Sequence, residues 1–210
     1  MNEHSTLRQF VVGAIQTNCY ALVSEGECLV IDPGAAGDKI ADELRDVRVT
    51  SIVATHGHHD HVCGVAALKR ATGAPFLIGR NDAARAQRAI EMSSHVFDVF
   101  QSDLEDPPAP DRMLSEGDVV TVGSETLQVI DAPGHTEGGI VLLGDGVAFM
   151  GDTLFAGSCG RTDLAGGDHQ ALMRTLAKLK QVIPPETVLL CGHGPATTMG
   201  QEIATNPWLS

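Results

Sequence analysis

Short apolar, β-rich runs open the chain: LRQFVV at 7–12, NCYALVS at 18–24 and ECLVIDPG at 27–34, separated by polar or glycine-containing turns. The step Ser24-Glu25-Gly26 predicts a hairpin between the last two. The pattern then changes to helical spacing in AAGDKIADELRD, residues 35–46, and returns to a strand in VTSIVAT, residues 49–55. HVCGVAALKRATG, 61–73, is helical with Gly73 as its stop, and APFLIG, 74–79, is the next strand. Residues 81 to about 101 have the composition of a helix, rich first in alanine and arginine and then in apolar residues.

DLEDPPAPDR, 103–112, holds three prolines and four acids in ten residues, which neither a helix nor a sheet interior accepts. It reads as a surface connection, with a mobile lid as the alternative. A second set of strands follows in DVVTVG, ETLQVIDAPG, GGIVLLG and GVAFMGD, with Gly123-Ser124 and Asp145-Gly146 as hairpin turns. The amphipathic segment DHQALMRTLAKLKQVI, 168–183, and the strand ETVLLCG, 186–192, come last. Strands mixed with helices in both halves predict an α/β fold of two face-to-face sheets with helices outside, as one domain over 1–210.

Composition narrows the partners. With 43% hydrophobic residues in 210, the chain buries a sizeable core, but its 14 basic and 27 acidic residues leave a net charge of −13. That charge excludes an electrostatic footprint for nucleic acid and disfavours anionic membrane surfaces. No apolar run approaches the ~20 residues that span a bilayer, and no export signal is readable at the start. Five scattered cysteines without a C-x-x-C pair read as reduced thiols, so a cytoplasmic location is expected.

The densest chemistry lies in THGHHDH, residues 55–61, with four histidines and one aspartate. Neutral imidazole and carboxylate are the donors that zinc and similar cations prefer, and His56, His58, Asp60 and His61 sit close enough along the chain to converge. Further candidates end other apolar runs: LQVIDAPG leads to His135, VAFMG to Asp152 and TVLLCG to His193. Glycines flank each of these positions, and a crowded centre needs such close backbone approach.

The motifs THGHHDH, PGHT, GDTLF and GHGP, together with IDPG around Asp32, make the chain resemble the metallo-β-lactamase superfamily along essentially its whole length. The resemblance implies a four-layer αββα sandwich, two mixed sheets flanked by helices, with two divalent cations at one edge. It implies that His56, His58 and His135 hold one metal and Asp60, His61 and His193 the other, with Asp152 bridging both and Asp32 in support. Zinc is the expected metal, with iron or manganese also suited to such donors.

GDTLFAGSCGRTDLAGGD, 151–168, and the GHGP ending are most similar to small bacterial hydroxyacylglutathione hydrolases of the glyoxalase II group. A small acyl thioester such as S-lactoylglutathione is therefore the expected substrate, cleaved by a metal-activated water with Asp60 as the only evident proton carrier. Arg161 matches in position a basic residue that contacts the thiol carrier, against the blander reading of a surface pair with Asp163. The alternatives are a mononuclear iron persulfide dioxygenase using His56, His135 and Asp152, and another small-molecule metallo-hydrolase such as a lactonase. His59 is read as a bystander, His4, His95 and His169 as polar surface, Cys159 as a small buried thiol, and Trp208 as the residue that packs the C-terminal segment.

Overall fold

The computed structural model describes residues 5–93 and 104–209. The first sheet takes β1 (Ser5–Val12), β2 (Thr17–Ser24), β3 (Glu27–Ile31), β4 (Arg48–Ala54), β5 (Phe76–Gly79) and β6 (Arg112–Leu114), in that order. β1, β2 and β3 are antiparallel, and β3 to β6 run parallel. Glu25 and Gly26 both adopt positive φ, 54° and 79°, so the predicted hairpin closes in two residues.

Between these strands lie α1 (Gly37–Glu43), α2 (His59–Val62), α3 (Val65–Thr72), a 3₁₀ turn at Arg80–Asp82, α4 (Ala83–Ala86) and α5 (Ala89–Ser93). The expected helix over 81–101 is thus two short helices within its described part; the remainder, with His95, lies outside the described residues, as does His4. The acidic, proline-rich segment is irregular from Leu104 to Asp111, and its last residue, Arg112, begins an edge strand instead of a loop.

The second sheet combines β7 (Val119–Val122), β8 (Glu125–Asp131), β9 (Ile140–Leu143), β10 (Val147–Gly151), β13 (Val188–Cys191) and β14 (Thr197–Thr198), in the spatial order β14-β13-β10-β9-β8-β7. A small hairpin, β11 (Leu154–Phe155) with β12 (Ser158–Cys159), follows β10. α6 (His169–Val182) and α7 (Met199–Thr205) complete the chain. Asp168 caps α6 by accepting from Ala171 N at 3.0 Å.

Side-chain alternation builds the layers. β2 is buried at every position because its two faces meet different cores. Cys19, Ala21 and Val23 pack toward α1 and α3 with Ile40 and Leu68, whereas Tyr20 and Leu22 enter the space between the sheets with Leu127, Leu142 and Phe149. On the far side, Ala148 and Met150 of β10 meet Leu172, Leu176 and Leu179, one stripe of α6. Three apolar interfaces between four layers make this the αββα sandwich. Among the described residues, no helix is long and apolar enough to cross a membrane.

Candidate metal centre

β3, β4 and their parallel neighbours point their C-terminal ends toward one edge of the sandwich, and β8, β10 and β13 run in one common sense in the other sheet. The residues that follow these strands meet there. His56 lies two residues past β4, His135 four past β8, Asp152 one past β10 and His193 two past β13. Hydrogen bonds between the sheets stitch the edge: Ile140 N donates to Thr55 O at 2.8 Å and Asn18 N to Gly192 O at 2.7 Å. All seven residues singled out as ligands in the sequence converge at this edge.

Two nitrogen-rich groups form. His56 Nε2 is 3.0 Å from His58 Nδ1, which is 2.9 Å from His135 Nε2. In the second group, Asp60 Oδ2 lies 3.2 Å from both His61 Nε2 and His193 Nε2. Asp152 stands between them, with Oδ2 at 3.6 Å from His135 Nε2 and 3.5 Å from His193 Nε2. His61 Nε2 and Asp152 Oδ1 are fully buried, 3.3 Å apart, and have no hydrogen-bond partner. Orphaned buried donors and acceptors are costly, and a shared divalent cation satisfies both at once. The donor set therefore fits divalent metal ions. It is also crowded enough to require glycine: a Cβ on Gly192 would lie 2.2 Å from Asp152 Oδ1.

One outward nitrogen is held by a hydrogen bond from another element, and that of His61 faces a buried carboxylate without a hydrogen bond to it. His135 Nδ1 donates to the carbonyl of Arg161 at 2.8 Å, which leaves the Nε2 lone pair facing the centre. His61 Nδ1 sits 2.9 Å from Asp32 Oδ2, and Asp32 is itself fixed by Thr55 N at 2.7 Å and Thr55 Oγ1 at 2.8 Å. Thr17 Oγ1 donates to Asp60 Oδ2 at 2.9 Å, a contact that no motif in the sequence announces.

Charge is distributed unevenly. Burial and neighbouring imidazoles keep His56 well below its ordinary range and push His58 down to about 3, so both are neutral. Burial opposes ionisation of Asp60 and Asp152, yet the imidazoles around them, His61 foremost, hold both carboxyls well below the carboxylate range. Burial likewise opposes a charged His193, but hydrogen bonds to Asp152 and Asp60 raise it to about 10. His61 is raised too, against its burial, by Asp60, Asp152 and Asp32.

A cavity of about 590 Å³ opens over the cluster, and its walls include Ile15, Met92, Phe155 and Leu164 beside the ligands. The Arg161 side chain lies at the rim, half exposed and paired with Asp163 through two contacts of 2.7 Å. The sequence's blander reading of Arg161 is thus present, while its carbonyl has a role that the sequence did not suggest. His59 is buried beside Asp60 and lines the cavity. Cys159 is half-buried on the cavity wall. Trp208 is 43% exposed but meets the His169 ring of α6 edge-on at 6.0 Å, and the buried Leu209 beside it also anchors the end of the chain.

A family model for the metallo-β-lactamase superfamily matches residues 12–193. The chain belongs to the metallo-β-lactamase superfamily. Within that superfamily of metallo-hydrolases, it is 31% identical over 205 residues to the hydroxyacylglutathione hydrolase GloC of Haemophilus influenzae, covering 95% of each chain. Among solved structures, BLEG-1, described as a B3 metallo-β-lactamase, superposes with a TM-score of 0.89 at 32% identity, over 98% of this chain and 100% of that one. TTHA1623 in a di-iron-bound form gives 0.85 at 33% identity, over 96% and 100%.

Proposed function

We propose that the protein hydrolyses a small acyl thioester, such as S-lactoylglutathione or a related hydroxyacyl thioester. The observation that carries this reading is the pair of donor groups beside one cavity, with Asp152 Oδ2 within 3.6 Å of a histidine in each and Asp152 itself grouped with His56 and His61. His56, His58 and His135 would hold one divalent ion, Asp60, His61 and His193 the second, with zinc the first candidate. Ions held there would supply Lewis acidity, lowering the pKa of a bound water toward neutrality and polarising an acyl carbonyl.

The chain's own residues do the rest. Asp152 holds the two halves in register, and Asp32 and the Arg161 carbonyl orient His61 and His135. Asp60 Oδ2 is taken by Thr17 and the imidazoles, and Oδ1, 3.7 Å from His59 Nδ1, is the atom left to carry a proton from an attacking water. A leaving group that needs no added proton suits this site best. A thiolate, with a conjugate acid near about 8.5, departs without one, whereas an amine does not. This favours thioesters over amides and agrees with the name of the Haemophilus relative. At the cavity rim, Arg161 can exchange Asp163 for a substrate carboxylate, since solvent screens an exposed pair of this kind.

The test is a panel of S-lactoylglutathione, simple acyl thioesters, a lactone, a β-lactam and a glutathione persulfide, assayed with metal-quantified protein while oxygen is monitored. Two metals per chain with thioesters preferred is the expected outcome. Preference for the β-lactam or lactone would reassign the substrate, and one iron per chain with oxygen uptake on a persulfide would replace hydrolysis by the dioxygenase reading.

A further inference from the structure

The 3₁₀ turn Arg80–Asp82 and α4 contribute no ligand, yet they lie directly behind the centre. Asp82 is 0% exposed. A carboxylate buried so completely needs donors, and Asp82 finds them in two separate loops. Its Oδ2 accepts from Gly57 N at 2.7 Å, and Gly57 is the residue between His56 and His58. Its Oδ1 accepts from Gly138 N at 2.8 Å, three residues after His135. One side chain therefore spans both loops that deliver the three-histidine group.

Arg85 extends the connection. Its Nε lies 3.8 Å from Asp82 Oδ1, and its Nη2 donates at 2.6 Å to the carbonyl of Ala165. Ala165 belongs to the same loop as Arg161, whose carbonyl receives the His135 Nδ1 proton. The fit is close: a Cβ on Gly138 would lie 2.2 Å from Asp82 N, and one on Gly57 would lie 2.9 Å from Arg85 Cγ. The other half of the centre is fixed from different elements, through Thr17 on β2 and Asp32 after β3.

We infer that Asp82 is a positioning residue for the His56, His58 and His135 half alone, setting the spacing between its two loops, with Arg85 carrying the brace to the 161–167 loop. This rests on the reading that those three histidines share a cation. Asp82→Asn keeps the shape but turns one oxygen into a donor, so either Gly57 N–H or Gly138 N–H faces another N–H. Titration of the metal-free protein with Zn²⁺ against a chromophoric chelator should show two sites in the wild type. In Asp82→Asn one site should keep its affinity and the other should weaken by about 10–100-fold, the usual effect of removing a residue that orients a ligand.

Equal weakening of both sites, or no change in either, would overturn the inference while leaving the metal centre intact. A wild-type protein that takes up no Zn²⁺ would sink the metal reading and this one with it. Should Asp82→Asn not fold, amide exchange in the metal-free wild type decides. Gly57 and Gly138 should be protected as strongly as sheet amides, and exchange at open-loop rates would refute the brace.

Discussion

His135 donates outward to a main-chain carbonyl, His61 faces Asp32, and His56 Nδ1 is 3.2 Å from Thr55 Oγ1, so the inward nitrogens are set before any ligand arrives. The proton inventory follows from the carboxylates. In the metal-free protein His193, raised to about 10 by Asp152 and Asp60, is protonated at pH 7, and His61 is raised by the same carboxylates and Asp32. Ligation through Nε2 requires a neutral ring, so metal uptake must expel the His193 proton. Apparent affinity should accordingly rise with pH and level off near 10. Calorimetry in buffers of different ionisation enthalpy measures the release; a proton count of zero at pH 7 would contradict it. The seven candidate ligands were legible in the sequence because four of them sit within six residues and the rest each follow an apolar run. Thr17 and the Arg161 carbonyl were not, since their contacts exist only once β2 and the 153–167 loop are packed against the centre.

Among the elements, the long apolar runs announced themselves, and ten of the strands begin and end near where the pattern changes. The two-residue strands β11, β12 and β14 have no period to detect, and α7 carries a buried Glu202 in place of an apolar stripe. Glu202 accepts from Thr197 Oγ1, Gly157 N and Asn206 Nδ2, which ties the β11–β12 turn to the C-terminal helix. The stretch from 81 to about 101 reads as one helix by composition, but its described part divides at residues 87–88 into α4 and α5. α6 supports the second sheet from the face opposite the first and touches no ligand through its buried stripe. Leu176→Ala should therefore cost about 2–5 kcal/mol in denaturant unfolding while the folded protein keeps its metal stoichiometry. A loss of metal at full stability would show that α6 shapes the centre directly.

For the molecule as a whole, the consequential feature is that strands from two sheets end at one edge with their ligand-bearing loops facing each other. Residues 56 and 193 are brought into one site by that arrangement, and no local pattern in the chain reveals it; the sheet order had to come from the fold. Two dications held there would make the site locally positive within a chain of net charge −13, and an anionic small substrate is the expectation that follows. Anomalous diffraction from crystals of the metal-loaded protein tests this most directly. The account predicts two peaks about 3.5–4 Å apart, one among His56, His58 and His135, one among Asp60, His61 and His193, with Asp152 between them. A single peak, or a pair that leaves His58 or His193 unbound, would contradict it.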